Sequence, residues 1–178
     1  MKLNRIYLDL DGVIVDFVGG CHALFGKPVN PQTSYDIHSW WDLSPNEFWN
    51  RIAATSGFWS GLKPYQHAQE FVTLLKTFTK EIVLVTSPTL DPQCAAEKTE
   101  WIQTYFKGNF RNYIITSRKE LLEKDGLLID DSNDKINKFR IYDGRAILFP
   151  QPWNALSMIQ ETHSKLSYIE ERLKEFFG

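Results

Sequence analysis

Residues 6–13 read Ile-Tyr-Leu-Asp-Leu-Asp-Gly-Val, an apolar run that ends in two carboxylates one residue apart and then a glycine. Ile6, Leu8 and Leu10, with Tyr7 between them, suit a strand buried on both faces and closed by a turn. In extended chain, residues i and i+2 point to the same side, so Asp9 and Asp11 can face one site just past the strand. In open α/β sheets that is where ligands bind. Two carboxylates aimed together repel each other unless a proton or a cation lies between them. Mg²⁺, a hard ion that takes oxygen ligands, is the obvious cation. Gly12 lets the backbone turn sharply beside a ligand. The competing explanation for the octapeptide alone is an ordinary strand exit with two solvated aspartates.

The rest of the chain bears on that choice. Its 178 residues suffice for one domain with a small insertion. A hydrophobic fraction of 43% and a charged fraction of 24% describe a soluble globular composition. A net charge of −2 leaves no basic footprint for long nucleic acid. Cys21 and Cys94 form no CxxC and no zinc spacing, and Met1 to Arg5 lead straight into the first strand. No apolar run approaches the ~20 residues of a membrane span. A cytoplasmic protein is expected.

Short apolar runs alternate with helical patterns. A helix is expected over 16–25, stopped by Gly26-Lys27-Pro28, then a change of character over 31–62, where four of the six tryptophans fall. Ser44-Pro45-Asn46-Glu47 has the form of a capped helix start. The aromatics of this segment serve either as the core of a small unit or as a wall for a flat ring. Further strands are expected over 82–85, 112–116, 126–129 and 146–149, with helices over 66–78, from 91 to about 106, over 133–140 and from about 153 onward. The segment 118–124 is a candidate for a short helix. His163, on the apolar stripe of the last helix, is expected to be a packed, satisfied histidine. The pattern implies an α/β fold whose mainly parallel five-stranded sheet is flanked by helices.

Three of these strands end in polar groups: Asp9/Asp11, Thr86/Ser87 and Asp130/Asp131, with Lys119 ahead of the last pair. A parallel sheet collects all of them on one rim. In their order, Asp9-Leu-Asp11-Gly12-Val13, Thr86-Ser87, Lys119 and Asp130-Asp131 resemble the four motifs of the haloacid dehalogenase (HAD) superfamily of phosphohydrolases. The match runs from residue 3 to about 140. Asp9 to Gly20, Thr86-Ser87-Pro88, Leu127 to Asp131, Gly57-Phe58-Trp59 and Glu97-Lys98 with Trp101 further resemble the 5′(3′)-deoxyribonucleotidases.

The resemblance implies a Rossmann-like core over 1–15 and 63–178, with a small helical cap over 16–62. It implies Asp9 as a nucleophile that forms an aspartyl-phosphate and Asp11 as leaving-group acid and then base. Mg²⁺ would lie between Asp9, the Asp11 backbone carbonyl and the Asp130/Asp131 pair, Asp131 being the first choice for direct ligand. Thr86, Ser87, Lys119 and Lys98 would bind phosphate, with Arg118 an alternative to Lys119. Against these stands a solvated surface lysine in either place. Phe17, Phe58 and Trp59 would meet the base. The expected partner is a small phosphate monoester, a nucleoside monophosphate; a homodimer is left open. Competing readings are a phosphatase for another small ester or a polynucleotide end, and a non-catalytic phosphate-binding protein.

Overall fold

A computed structural model describes residues 3–29 and 34–178; Met1, Lys2 and the stretch 30–33, which holds Pro31 of the expected change of character, lie outside the described residues. The chain opens with β1 (Arg5–Leu8), α1 (Phe17–Phe25), a 3₁₀ turn (Ile37–Trp41) and α2 (Pro45–Ala53). It continues through α3 (Ala68–Phe78), β2 (Glu81–Thr86), α4 (Pro92–Tyr105) and β3 (Tyr113–Ile115). A 3₁₀ turn at Lys119–Leu121 precedes β4 (Gly126–Asp130), α5 (Asn133–Ile141), β5 (Arg145–Leu148) and α6 (Thr162–Phe177). The five strands form one parallel sheet in the order β3-β2-β1-β4-β5.

The two-residue period of the strands divides the core. Ile6, Leu8, Ile82, Leu84, Leu127 and Ile129 face one side, where Phe71, Leu75, Ile102, Ile169 and Leu173 cover them. Tyr7, Val83, Val85 and Leu128 face the other, against Ile136 and Phe139 of α5. Register matches the pattern: Ile6 lies opposite Ile82 on one neighbour and Leu127 on the other. A one-residue slip would exchange the two faces.

The described residues between β1 and α3 hold α1, the 3₁₀ turn and α2, joined by turns. Asp16 caps α1 by accepting from Gly19 N, and Ser44 with Glu47 forms a complete capping box on α2. Buried Trp40, Trp41, Phe48, Ile52, Phe58 and Trp59 belong to the same apolar cluster as β1 and β2, so this segment continues the core of one sheet face.

Two local expectations need correction. The last helix begins at Thr162, not near Trp153, and the chain from 150 to 161 runs through turns. Pro150 and Pro152 withhold backbone donors there, and the side chains of Trp153 and Asn154 bond to Asp131 and Phe149, the residues directly after β4 and β5. His163 is exposed at the start of α6. The packed histidine is His67, whose buried ring Nε2 lies 3.0 Å from the Val13 carbonyl and whose pKa is lowered, mainly by burial. The segment 118–124, a candidate for a short helix, holds a 3₁₀ helix of three residues, Lys119–Leu121. No helix among the described residues is long and apolar enough to cross a membrane.

Candidate active site

The strand order places β1 between β2 and β4, so the three polar strand ends become neighbours. Asp9 follows β1 directly, its N–H donating to Ile129 O of β4 at 3.0 Å. Val13, Ile14 and Val15 N–H groups all donate to Leu10 O, winding the chain into a tight turn around Gly12. Gly12 has φ +77°, and a Cβ there would lie 2.2 Å from Asp131 Oδ2, so only glycine lets the two strand ends approach this closely.

The carboxylates are fixed one oxygen at a time. Asp9 Oδ1 accepts from Lys119 Nζ at 2.6 Å and from Leu10 N at 2.8 Å. Asp130 is engaged on both oxygens, Oδ2 by Lys119 Nζ at 2.7 Å and Oδ1 by Ser132 N at 2.8 Å. Asp131 Oδ2 accepts from the indole Nε1 of Trp153 at 2.6 Å. Asp9, Asp130 and Asp131 each offer an oxygen within 4.8 Å of the others, and all three are buried. Asp11 faces the β2 side, where it pairs with Lys98 Nζ; that ammonium also donates to Thr86 Oγ1 and to Ser87 O, both at 2.9 Å.

Charge is not balanced. With all four ionised, the carboxylates Asp9, Asp11, Asp130 and Asp131 carry two more negative charges than the ammonium groups of Lys98 and Lys119 offset. Burial, and next the nearby Asp130, push the Asp9 carboxyl up to about 7, against the pull of Lys119. Asp131 is raised for the same reasons, burial first and then Asp130 and Asp9. Burial works against the Lys119 ammonium, but Asp130 and Asp9 outweigh it and raise its pKa above the ordinary lysine value. An all-oxygen cluster with two uncompensated negative charges fits a divalent metal ion. Arg118 does not share this position: its exposed side chain pairs with Glu120.

The same strand ends open into a cleft of about 800 Å³ whose other wall is aromatic. Phe17 lies nearly parallel to Trp59 (centroids 5.3 Å apart, 4°) and to Trp49 (6.2 Å, 17°). Trp59 in turn lies under Lys98 Nζ, 4.6 Å from its ring centre.

Comparison with known proteins gives this geometry a family. The profile of the 5′ nucleotidase, deoxy (pyrimidine), cytosolic type C protein family matches residues 3–167. The chain belongs to that family. This nucleotidase-family chain is 26% identical over 143 residues to the human mitochondrial 5′(3′)-deoxyribonucleotidase, a match covering 73% of this chain and 63% of that protein. It is 24% identical over 184 residues to the human cytosolic-type 5′(3′)-deoxyribonucleotidase, covering 96% and 92%. It thus spans less than two thirds of the mitochondrial relative's length. Its fold is shared with a haloacid dehalogenase-like hydrolase from Streptococcus pneumoniae (TM-score 0.51, 14% identity, 99% of both chains). A protein described as a predicted phosphatase, from Clostridium acetobutylicum, shares it as well (TM-score 0.56, 12% identity, 98% and 100%).

Most residues singled out from the sequence of this nucleotidase-family chain converge on the cleft: Asp9, Asp11, Ser87, Lys98, Lys119, Asp130 and Asp131 line it, with Phe17 and Trp59. Thr86 sits behind, reached by Lys98. Phe58 does not line the cleft; it is buried edge-on to Phe17 and Trp59. Trp49 and Trp153 line it and were not singled out by any motif. The motif that includes Glu97 gives it no role of its own. Its buried carboxylate accepts from Gly57 N at 2.8 Å and Trp59 N at 2.9 Å, tying the loop that bears Trp59 to α4.

Proposed function

We propose that this protein is a Mg²⁺-dependent phosphatase for nucleoside monophosphates, a 5′(3′)-deoxyribonucleotidase that works through an aspartyl-phosphate on Asp9. The observation that carries this reading is the buried Asp9–Asp130–Asp131 cluster, bridged by Lys119, opening into the same cleft as the stacked rings of Phe17, Trp49 and Trp59. The family's own description, deoxy and pyrimidine, favours pyrimidine deoxyribonucleotides within that class.

Each residue then has a task. Among the described residues both donors to Asp9 go to Oδ1, which leaves Oδ2 to attack phosphorus. Asp11, two residues on, protonates the departing alkoxide and then takes a proton from the water that cleaves the acyl-phosphate. Lys98, which spans Asp11, Thr86 and Ser87, carries positive charge to the phosphate oxygens. Ser87, whose hydroxyl donates to Thr116 O at 3.2 Å, exchanges that bond for a phosphate oxygen, while the buried Thr86 Oγ1 accepts from Lys98 Nζ and steadies it from behind. Asp9, Asp131 and the Asp11 carbonyl would hold Mg²⁺, with Asp130 behind them; the ion would offset the repulsion between carboxylate and phosphate. Asp130 acts by holding Lys119, since protein donors occupy both of its oxygens. Phe17, Trp49 and Trp59 give the base a flat apolar wall, while a sugar phosphate offers no ring face to it.

The test is phosphate release from a panel of deoxy- and ribonucleoside monophosphates, glycolytic sugar phosphates and p-nitrophenyl phosphate. The expected result is the highest kcat/KM for pyrimidine deoxyribonucleotides, loss of activity with a chelator and recovery with Mg²⁺. Preference for sugar phosphates would move the assignment to another ester. Silence across the panel with Mg²⁺ present would favour a binding protein.

A further inference from the structure

Between β5 and α6 lies a loop that belongs to none of the four strand-end motifs, yet three of its side chains reach the site. Trp153 donates its indole N–H to Asp131 Oδ2 at 2.6 Å. Asn154 Nδ2 donates to the backbone carbonyls of Asp131 at 2.9 Å and Phe149 at 2.7 Å, while its Oδ1 accepts from Leu156 N at 3.0 Å. Gln151 donates its side-chain amide to Gly12 O and accepts from Lys165 Nζ of α6 at 3.0 Å. Gln151, Asn154 and Lys165 are all buried. One loop therefore ties the Gly12 turn after β1 to the end of β4, across the cluster of carboxylates.

The consequence concerns which oxygen of Asp131 is available. Oδ2 is confined on one side by Gly12, where a Cβ would collide at 2.2 Å, and on the other by the Trp153 N–H. Among the described residues, Trp153 is the one that donates to this carboxylate, and it does so at Oδ2. Oδ1 is left free of protein donors. Asp130 differs, because Lys119 and Ser132 occupy both of its oxygens. Trp153 also leans on Trp40, with ring centres 5.9 Å apart, so the indole that orients Asp131 is itself held by the segment bearing the aromatic wall.

We propose that Trp153 is a positioning residue for the metal site: its indole N–H sets the rotamer of Asp131 so that Oδ1 is presented to the cation. This rests on the Mg²⁺-dependent reading above. A neutral donor fixes the carboxylate without competing for the metal's charge, and loss of such an outer partner typically costs roughly 10–100-fold in metal affinity. Without the N–H, the carboxylate must be ordered at the moment the metal binds.

The experiment is calorimetric titration of the full chain with Mg²⁺ alone, with no substrate, on wild type, Trp153→Phe, Trp153→His and Asp131→Asn. Metal-free melting temperatures are measured alongside. Trp153→Phe, which keeps an aromatic ring but loses the donor, is expected to raise the Mg²⁺ Kd about ten-fold or more. Its kcat should return toward wild type at saturating Mg²⁺. Trp153→His retains a ring N–H and should bind Mg²⁺ more tightly than the phenylalanine variant. An unchanged Kd in Trp153→Phe, with only a lower melting temperature, would overturn the proposal and reduce Trp153 to a packing partner of Trp40. If Trp153→Phe does not fold, the histidine variant decides: a Kd near wild type supports the donor role, and a loss as large as that of Asp131→Asn overturns it. Failure of wild type itself to bind Mg²⁺ would strike the metal reading first, a result distinct from any difference among the variants.

Discussion

The two walls of the cleft are held in different ways. On the strand-end wall, charged groups meet named partners: Lys119, 1% exposed, spans Asp9 and Asp130, and Lys98 spans Asp11, Thr86 and Ser87. On the aromatic wall, rings meet rings, Phe17 near-parallel to both Trp49 and Trp59, and Trp49 remains 39% exposed. The first arrangement fixes direction, because a charge-assisted hydrogen bond weakens steeply when bent. The second fixes shape, because dispersion and burial have no preferred axis. Bond-making chemistry needs direction, whereas discrimination between a base and a sugar needs only a flat apolar surface. Substitutions on the first wall should therefore abolish turnover while leaving the fold, and those on the second should alter KM or stability.

The sharpest break should come at Asp9. Asp9→Asn preserves shape and removes the proposed nucleophile, so turnover on every substrate should fall by about 10⁴-fold or more. Beryllium fluoride, which forms an acyl-phosphate mimic on a carboxylate, should bind wild type with Mg²⁺ and fail to bind the variant. Appreciable turnover in Asp9→Asn would remove the covalent mechanism.

Asp11→Asn should cost roughly 10²–10⁴-fold, and unevenly. An alkyl phosphate needs its leaving oxygen protonated, whereas an activated aryl phosphate does not. Equal losses on the two substrates would show that Asp11 is not the leaving-group acid. Phosphate and Mg²⁺ binding should survive, because the assigned metal contact of Asp11 is its backbone carbonyl.

A smaller effect tests the charge imbalance through pH. The Asp9 carboxyl is raised to about 7 in the folded protein, from an ordinary value of about 3.9, and Asp131 moves the same way. The metal-free fold thus holds protons that the unfolded chain releases, and the stability they confer is lost as pH rises from about 4 through 7. His67, lowered by burial, acts oppositely, since its contribution is lost as pH falls below about 6.5. The clean readout is the difference made by Mg²⁺. The metal-induced rise in melting temperature should be larger at pH 8 than at pH 5, where protons compete for the same oxygens. His67 touches the Val13 carbonyl and not the carboxylate cluster, so it cancels from that difference. Equal shifts at both pH values would mean the cluster does not bind the metal.

Much of the strand-end wall was legible because its signals are local. A strand buried on both faces is a short apolar run, and the run at 82–85 lies within the observed β2 (Glu81–Thr86). Asp9, Asp11 and Asp131 stand directly after such runs, so their placement follows from topology. What stayed hidden is tertiary. Leu156 and Ile159 keep the spacing of α6, yet the segment is pulled out of helix by the bonds of Trp153 and Asn154 to groups more than twenty residues away for Asp131. The same blindness set His163 on a packed face, because apolar spacing does not say what lies opposite a side chain, and α6 leaves that residue exposed. On the aromatic wall, nothing in composition separates a ring that lines the cleft, Trp49, from one buried behind it, Phe58.

That last pair offers the finest test of the comparison. Phe17 lines the cleft and is partly buried; Phe58 stands edge-on behind it with ring centres 6.0 Å apart. If the wall works by shape, truncating the two should have different consequences. Removing a ring that meets the base costs about 1–3 kcal/mol of binding, so Phe17→Ala should raise KM for deoxynucleotides by roughly 5- to 150-fold. Hydrolysis of p-nitrophenyl phosphate should change little, because the phosphate site is untouched. Phe58→Ala leaves a cavity behind the wall and should cost about 3–5 kcal/mol of stability, a fall of roughly 10 °C in melting temperature. Its KM for nucleotides should rise less than that of Phe17→Ala. The near-parallel contact of Phe17 with Trp59 supplies the rival outcome: a ring already committed to its neighbours is core. In that case Phe17→Ala should lower the melting temperature as much as Phe58→Ala and weaken both substrates alike. Measuring the two variants on both substrates, with melting temperatures, decides whether Phe17 belongs to the wall or to the core behind it.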